Sequence, residues 1–191
     1  MLKRVMSIFT GLLVLILFTS CSGKEADLEM RIAPSELSQE TRDVLAAIGD
    51  ETVFFDYQVD GTVQSVNFRV LVYEDGEWVY GGGAEDDVAA DGIGRVGFRL
   101  REEGFDIITV TDSGYTRAAL EIPLGFSDSM LIGTAKLTQA RVIVPEEPLA
   151  LFVKAGTEQN RLSVIEPEDY QSMDCDAGVA IEAVFSTERI N

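Results

Sequence analysis

The sequence contains no histidine and little positive charge. Its 191 residues include 33 aspartates and glutamates but only 15 lysines and arginines, which gives a formal net charge of −18. Without histidine, Ser-His-Asp and Cys-His catalytic arrangements and histidine-bearing zinc sites are excluded. Nucleic-acid binding needs lysine and arginine to neutralise phosphates, so we expect no nucleic-acid partner. The overall charge would instead attract a cationic partner.

Long hydrophobic runs are also scarce, and the longest one lies at the N-terminus. Lys3 and Arg4 precede the apolar residues 5–18, and two small residues then lead to Cys21. As a helix this run would rise about 21 Å, whereas the hydrocarbon core of a membrane is about 30 Å thick. A basic head, an apolar middle and a small-residue end are typical of a secretory signal.

This segment resembles the signal of bacterial lipoproteins, in which the cysteine is lipidated and becomes the first residue of the mature chain. The resemblance implies that residues 1–20 are a signal peptide. It also implies that acyl groups on Cys21 hold the chain at the outer side of the cytoplasmic membrane. A plain secreted form and an uncleaved signal anchor are the alternatives. Residues 21–35 are polar and acidic, and we expect a flexible tether there, followed by one domain over residues 36–191.

Cys175 would then be the one free thiol, so no internal disulfide is expected. Its neighbours Asp174 and Asp176 would raise the pKa of this thiol and weaken it as a nucleophile. We therefore expect a structural role for Cys175.

One helix is predicted before a long series of strands. Ser38 can cap it, its apolar residues Val44, Leu45 and Ile48 form one stripe, and Gly49 would end it. We expect this helix to cover one end or face of a sheet.

From residue 52 onward, apolar and polar residues alternate, as in half-buried strands. The strands are predicted at residues 52–59, 64–72, 77–80, 93–101, 105–111, 115–122, 140–144, 149–155 and 178–186. The expected turns between strands are Asp60-Gly61, Asp75-Gly76, Asp91-Gly92 and Ser113-Gly114. Pro145 and Pro148 indicate a passage between two sheets, and residues 157–173 are expected to form a long surface loop.

These features predict an all-β fold: an antiparallel β-sandwich, immunoglobulin-like or jelly-roll-like, with one short N-terminal helix and a barrel as the alternative. The layout is similar to that of small Gram-positive surface lipoproteins with β-sandwich bodies and no assigned role. That resemblance implies no active-site residue. The alternation predicts a core made of Val53, Phe55, Val66, Phe68, Val70, Phe98, Leu100, Ile107, Val142, Ile181 and Phe185.

A glycine-rich acidic segment is the candidate metal site. Three glycines at positions 81–83 precede Glu85, Asp86 and Asp87, and Asp91 follows shortly after. Carboxylates are the hard oxygen ligands that calcium prefers, so calcium is the one cofactor considered. The acid spacing of an EF-hand is absent, and the alternative is a solvated hairpin loop without metal.

A row of arginines is the candidate ligand site. Arg95, Arg99 and Arg101 occupy alternate positions of one predicted strand and should share a face. Their guanidiniums can form a fork for a carboxylate or sulfate ligand. Alternatively they pair with acids across the sheet, for which the candidates are Glu74, Glu77, Asp106 and Glu121.

Trp78, flanked by Tyr73 and Tyr80, is the remaining candidate, either as a platform for sugars or as a core anchor. The leading hypothesis is a non-enzymatic binding or interaction module held at the membrane by its lipid anchor. The alternatives are a calcium-dependent or aromatic-platform carbohydrate-binding module and a carboxylate-based glycosidase. We do not expect an enzyme, because no paired-acid motif is placed on a recognisable framework.

Overall fold

The computed structural model describes residues 29–48, 51–101, 104–112, 114–163 and 166–190. The expected signal peptide, Cys21, most of the expected tether, Gly49 and Ser113 lie outside these residues. The helix α1 spans Gln39–Ile48, and a 3₁₀ helix spans Pro167–Ser172. The strands are β1 Arg31–Pro34, β2 Glu51–Gln58, β3 Ser65–Glu74, β4 Glu77–Asp87, β5 Ile93–Arg101, β6 Gly104–Thr111, β7 Gly114–Leu120, β8 Leu131–Lys136, β9 Arg141–Val142, β10 Leu149–Thr157 and β11 Ala177–Ser186.

The strands form two antiparallel sheets arranged as a sandwich, so the predicted fold class is confirmed. The six-stranded sheet has the order β7-β6-β5-β2-β1-β9, and the five-stranded sheet has the order β4-β3-β11-β10-β8. The predicted turn at Asp75 and Gly76, both with positive φ, closes the β3–β4 hairpin. The pairs Asp60-Gly61 and Asp91-Gly92 instead lie where the chain crosses between sheets. The segment from Pro145 to Pro148 also crosses between sheets, as predicted.

The core between the sheets is built from the residues that alternate inward, and a cluster of aromatic rings lies near its centre. Phe98 is fully buried, with its ring centroid 5.6 Å from Phe68, 6.0 Å from Phe105 and 6.1 Å from Phe55. The confirmed core predictions are Val53, Phe55, Val66, Phe68, Val70, Phe98, Leu100, Ile107, Ile181 and Phe185.

The burial prediction for Val142 is wrong. This residue is 55% exposed because it pairs with Arg31, whose neighbour Ile32 occupies the inward position of β1. The next residue, Ile143, lies just beyond β9 and is buried, with its amide donating to Met30 O at 2.9 Å.

The expected boundary between tether and domain also needs correction. Residues 31–34 were assigned to the tether by their polar context, but they form β1, which pairs with β2 and β9. Ile32 is fully buried and gives this short strand its place in the sandwich. The strand β8 was not predicted either, since it lacks regular alternation.

The helix α1 begins as predicted, with the amide of Thr41 donating to Ser38 Oγ at 3.2 Å. The expectation that its apolar stripe covers a sheet is wrong for most of its length. Val44 and Ile48 are 60% and 57% exposed, and only Leu45 is half-buried. Among the described residues, no helix is both long enough and apolar enough to cross a membrane.

The outer face of the five-stranded sheet carries a second, smaller apolar cluster. The expected surface loop, residues 157–173, includes the 3₁₀ helix and packs Tyr170 and Met173 against this face. The cluster also buries Cys175, which is a free thiol as expected. Burial, with added repulsion from Asp176 and Asp174, raises the pKa of Cys175 to about 11.

Candidate functional site

The predicted row of arginines lies on the outer face of the six-stranded sheet. Arg95, Arg99 and Arg101 alternate along β5 with the buried Val96, Phe98 and Leu100, so their side chains point away from the core. The prediction that the three arginines share one face is confirmed.

A buried carboxylate lies in the middle of this row. Asp106 on β6 is opposite Arg99 in the strand register and has no solvent-exposed surface. Arg117 Nη2 donates to Asp106 Oδ2 at 2.8 Å, Arg101 Nε lies 3.1 Å from Asp106 Oδ1, and Arg99 Nη1 lies 3.8 Å from Oδ2. Three guanidiniums therefore surround one carboxylate.

The β5–β6–β7 arrangement explains why these side chains meet. Gly104, which opens β6, has φ +146°, and a Cβ on it would lie 2.2 Å from the carbonyl oxygen of Leu120 on β7. Only glycine allows this close approach. Arg101 extends across the same point, and its Nη2 donates to Leu120 O at 3.4 Å. Arg101 lies on β5, Asp106 lies on the neighbouring strand β6, and Arg117 lies on β7, on the far side of β6.

A second ion pair continues the charged surface toward the middle of the sheet. Arg95 Nη2 donates to Asp56 Oδ2 at 3.1 Å, and Ser35 Oγ donates to Asp56 Oδ1 at 2.7 Å. Partial burial raises the pKa of Asp56, but the hydrogen bonds from Arg95 and Ser35 outweigh it, so that this pKa lies below its ordinary value. The same bond to Asp56 raises the pKa of Arg95.

An apolar strip separates the two charged groups. Gly97 lies between Phe54 on β2 and Ile108 on β6 in the register. A Cβ on Gly97 would lie 2.5 Å from the Phe54 ring, so the ring lies across the glycine. Phe54 and Ile108 are both half-buried. Along β5, this outer face thus carries first the ion pair of Arg95, then the apolar strip, and then the guanidinium cluster.

We call this surface the arginine face. Its charged residues, as placed by the strand register, are Arg31, Arg95, Arg99, Arg101 and Arg117 against Asp56 and Asp106. By this register, five arginines share the face with two aspartates, although the whole chain carries a net charge of −18. Guanidiniums present paired donors that match the oxygens of carboxylate and sulfate groups.

The structure bears on the pairing interpretation of the arginine row. The pairing interpretation is correct for Asp106, whereas Glu74 and Glu77 belong to the other sheet and cannot reach the row. Sequence reasoning missed Arg117, because recognising it required the pairing of β7 with β6. The outward alternation around Ala118 and Leu120 was the signal that could have placed it on this face.

The acidic segment is not the loop that the sequence predicted. Residues 81–87 continue β4 and pair with β3, and Gly81 is the extra residue of a bulge. A Cβ on Gly83 would lie 2.4 Å from Phe68 O, so the glycines permit close strand contact and do not form a loop. This geometry overturns the reasoning from which a calcium loop was predicted.

Three of the four candidate calcium ligands accept hydrogen bonds from different partners in the structure. Glu85 accepts a hydrogen bond from Asn67 Nδ2 at 2.6 Å, and Asp86 accepts one from Thr109 Oγ1 at 2.6 Å. Asp91 accepts from the amide of Ile93, and Asp87 lies at the end of β4. Within the part of the chain that the structure describes, no three acidic or cysteine side chains are grouped to hold a metal ion.

The aromatic set is also divided by the structure. Trp78 packs edge-to-face against Tyr170 at 4.9 Å and against Tyr73 at 5.3 Å, which makes it part of the second apolar cluster. This half-buried packing agrees with the alternative that Trp78 is a packing anchor. Tyr80, in contrast, is 62% exposed.

Comparisons with known proteins add no further assignment: no protein-family model, no curated protein and no solved structure matches this chain significantly.

Proposed function

We propose that this chain is a lipid-anchored, extracytoplasmic binding module whose arginine face recognises carboxylate or sulfate groups on a glycan. The observation that carries the proposal is the arrangement of Arg99, Arg101 and Arg117 around the buried Asp106. The class of ligand follows from the chemistry of that arrangement, and the location follows from the lipoprotein-like N-terminus.

The cluster is well suited to binding because Asp106 orders the guanidiniums in advance. The carboxylate of Asp106 lies within ion-pair distance of all three guanidiniums and fixes these side chains near each other. Holding a long side chain in place otherwise costs about 0.5–1.5 kcal/mol on binding. The side chains of Arg101, Arg99 and Arg117 remain 27%, 35% and 49% exposed, so that an anion can approach them. Asp106 thus acts as a positioning residue.

The apolar strip favours a glycan over a small free anion. A sugar ring has an apolar C–H face that packs on apolar side chains, and Phe54 and Ile108 provide such a surface beside the arginines. Sulfate or carboxylate substituents on neighbouring sugar units would then lie near Arg95 or near the cluster around Asp106. An open sheet face also accommodates an extended polymer.

The same geometry supports a binding role without catalysis. Glycoside hydrolysis needs one carboxylic acid and one free carboxylate across the scissile bond. Asp56 and Asp106, the carboxylates on the strands of the arginine face, both hold guanidiniums. Neither is therefore placed as a proton donor or a nucleophile.

The lipid anchor is proposed from the sequence. Acyl groups on Cys21 would place the sandwich at the membrane surface, within reach of surface glycans. The substitution Cys21→Ala should release the protein from the membrane fraction. Unchanged membrane retention and unchanged signal processing in this variant would contradict the anchor.

The ligand class is tested by comparing the binding of charged polymers with that of an uncharged one. We expect dextran sulfate and oligogalacturonate to bind in isothermal titration calorimetry, and unmodified dextran not to bind. Affinity should fall as salt rises, because exposed charges are screened within about 10 Å at 0.1 M salt. Arg117→Gln should weaken binding, whereas Arg141→Gln, which removes an exposed arginine paired with Glu168 outside the arginine face, should not. Equal effects of the two variants would contradict the proposed site.

A further inference from the structure

A polar groove of about 730 Å³ lies on the outer face of the five-stranded sheet, on the opposite side of the sandwich from the arginine face. Its floor is formed by Asn67 and Arg69 on β3 and by Val184 on β11. Tyr80 and Glu85 line it from β4, and Ser186 and residues 188–190 line it from the C-terminal side. We call it the Tyr80 groove.

An exposed aromatic ring lies along this groove. Tyr80 is 62% exposed, and its hydroxyl lies 3.1 Å from where a Cβ on Gly83 would be. Gly83 pairs with Arg69 in the register, so the Tyr80 ring extends along β4 toward the arginine. The absence of a side chain at Gly83 leaves room for this position. An aromatic surface of this kind offers an apolar face beside a polar hydroxyl.

Arg69 is held in place from below by buried groups. Its Nη1 lies 3.6 Å from Oε2 of Glu182, which is buried, and the Tyr170 hydroxyl donates to the other oxygen of Glu182 at 2.7 Å. The Arg69 side chain is 37% exposed toward the groove. The groove therefore presents a fixed donor group whose charge Glu182 already balances.

Fixed acceptors lie on the other side of the floor. Glu146 Oε1 accepts hydrogen bonds at 2.9 Å from the Thr187 amide and from Ser186 Oγ. Asn67 donates to Glu85 at 2.6 Å, while its Oδ1 has no hydrogen-bond partner among the described residues. A buried carbonyl oxygen without a donor is unfavourable. A ligand hydroxyl that donates to this oxygen would satisfy it.

From this combination we infer that the Tyr80 groove binds a neutral sugar unit of a glycan. A hexose offers an apolar ring face for Tyr80 and adjacent hydroxyls that both donate and accept, which matches Arg69, Asn67 and Glu85. The groove lining carries three carboxylates, Glu85, Glu146 and Glu188, against the two guanidiniums of Arg69 and Arg189, and this balance disfavours an anionic ligand. The inference goes beyond the proposed function, because it concerns a different face and an uncharged ligand.

A neutral oligosaccharide panel tests the inference on the intact protein. Cello-, manno-, xylo- and malto-hexaose are screened on an array, and any binder is titrated by calorimetry. We expect at least one to bind. Tyr80→Ala should weaken that binding about tenfold, and Tyr80→Phe should retain it within about threefold. The matched control is Tyr115→Ala, which removes a tyrosine that is 76% exposed on β7 and does not line this groove.

The outcomes separate the groove from the arginine face. Binding of dextran sulfate should be unchanged in Tyr80→Ala, and binding of the neutral oligosaccharide should be unchanged in Arg117→Gln. Melting temperatures of all variants are compared with that of the unmodified protein, and Asn67→Ala provides a second groove variant if Tyr80→Ala is unstable. Failure of every neutral oligosaccharide to bind would overturn the inference. An equal loss of oligosaccharide binding in Tyr80→Ala and Tyr115→Ala would also overturn it. So would a lysine-rich peptide that binds at the groove as tightly as the oligosaccharide.

Discussion

The substitution Asp106→Asn tests how strongly the arginine cluster depends on its central carboxylate. It keeps the shape of the side chain and removes the charge that three guanidiniums surround. Removing one partner of a buried ion pair costs about 3–5 kcal/mol, mainly because the other charge is left uncompensated. The guanidiniums here are partly exposed, so water and side-chain movement relieve part of the repulsion.

We therefore expect Asp106→Asn to lower the free energy of unfolding by about 2–4 kcal/mol. For a chain of this size, that corresponds to a fall in Tm of about 5–15 °C. Urea unfolding followed by circular dichroism measures the effect, with Asp128→Asn as the control at an exposed position. The loss should shrink at high salt, because added ions screen the repulsion among the arginines.

A double-mutant cycle separates repulsion from lost packing. Arg117→Gln alone should destabilise the protein, because it removes the 2.8 Å hydrogen bond to Asp106. Combined with Asp106→Asn, the same substitution should cost less or even stabilise, because it then removes one of the guanidiniums that repel each other around position 106. A loss below about 1 kcal/mol for Asp106→Asn, or additive effects in the cycle, would refute the reasoning.

Three further predictions concern the core, the free thiol and the acid stability. Phe98→Ala should lower the free energy of unfolding by about 3–5 kcal/mol, because Phe98 is fully buried among aromatic rings. A loss under about 1 kcal/mol in urea unfolding would contradict this packing. Cys175, whose pKa is raised to about 11, should resist iodoacetamide at pH 8 until the protein is unfolded. If the folded protein were labelled as fast as the unfolded protein, the burial of Cys175 would be contradicted. Asp56 has a lowered pKa in the folded state, so its stabilisation is present above its ordinary pKa of 3.8 and is lost as pH falls below it. Acid unfolding should therefore affect the unmodified protein more than Asp56→Asn, and equal pH profiles would show that the Arg95 pair does not contribute.

Much of the sandwich could be predicted because its strands bury one face. Strands such as β3 and β5 alternate large apolar residues with polar ones, so their inward residues were identified from the sequence. The strands β1 and β8 were missed because they lack that alternation. β1 has only Ile32 fully buried in the core, and β8 lies at a sheet edge with small residues in its middle. Their positions depend on neighbouring strands that local sequence does not reveal.

The same limit explains the errors at the candidate sites. The glycines before Glu85 were interpreted as a loop signal, whereas they allow β4 to approach β3 closely beside a bulge. Arg95, Arg99 and Arg101 were placed correctly because they lie on one strand. Their partners Asp106 and Arg117 come from two further strands, and the burial of Asp106 depends on the three-dimensional register.

The most direct test of the central claim is a titration followed by the arginine Nε–H signals in nuclear magnetic resonance. A sulfated oligosaccharide is added to the isotope-labelled protein at low salt, and the unsulfated oligosaccharide is the control. We predict that the signals of Arg99, Arg101 and Arg117 shift together and saturate with the sulfated ligand, while those of Arg141 and Arg189 stay unchanged. Shifts spread evenly over all arginines, or no saturable shift in the cluster, would contradict the assignment of the arginine face as an anion-binding site.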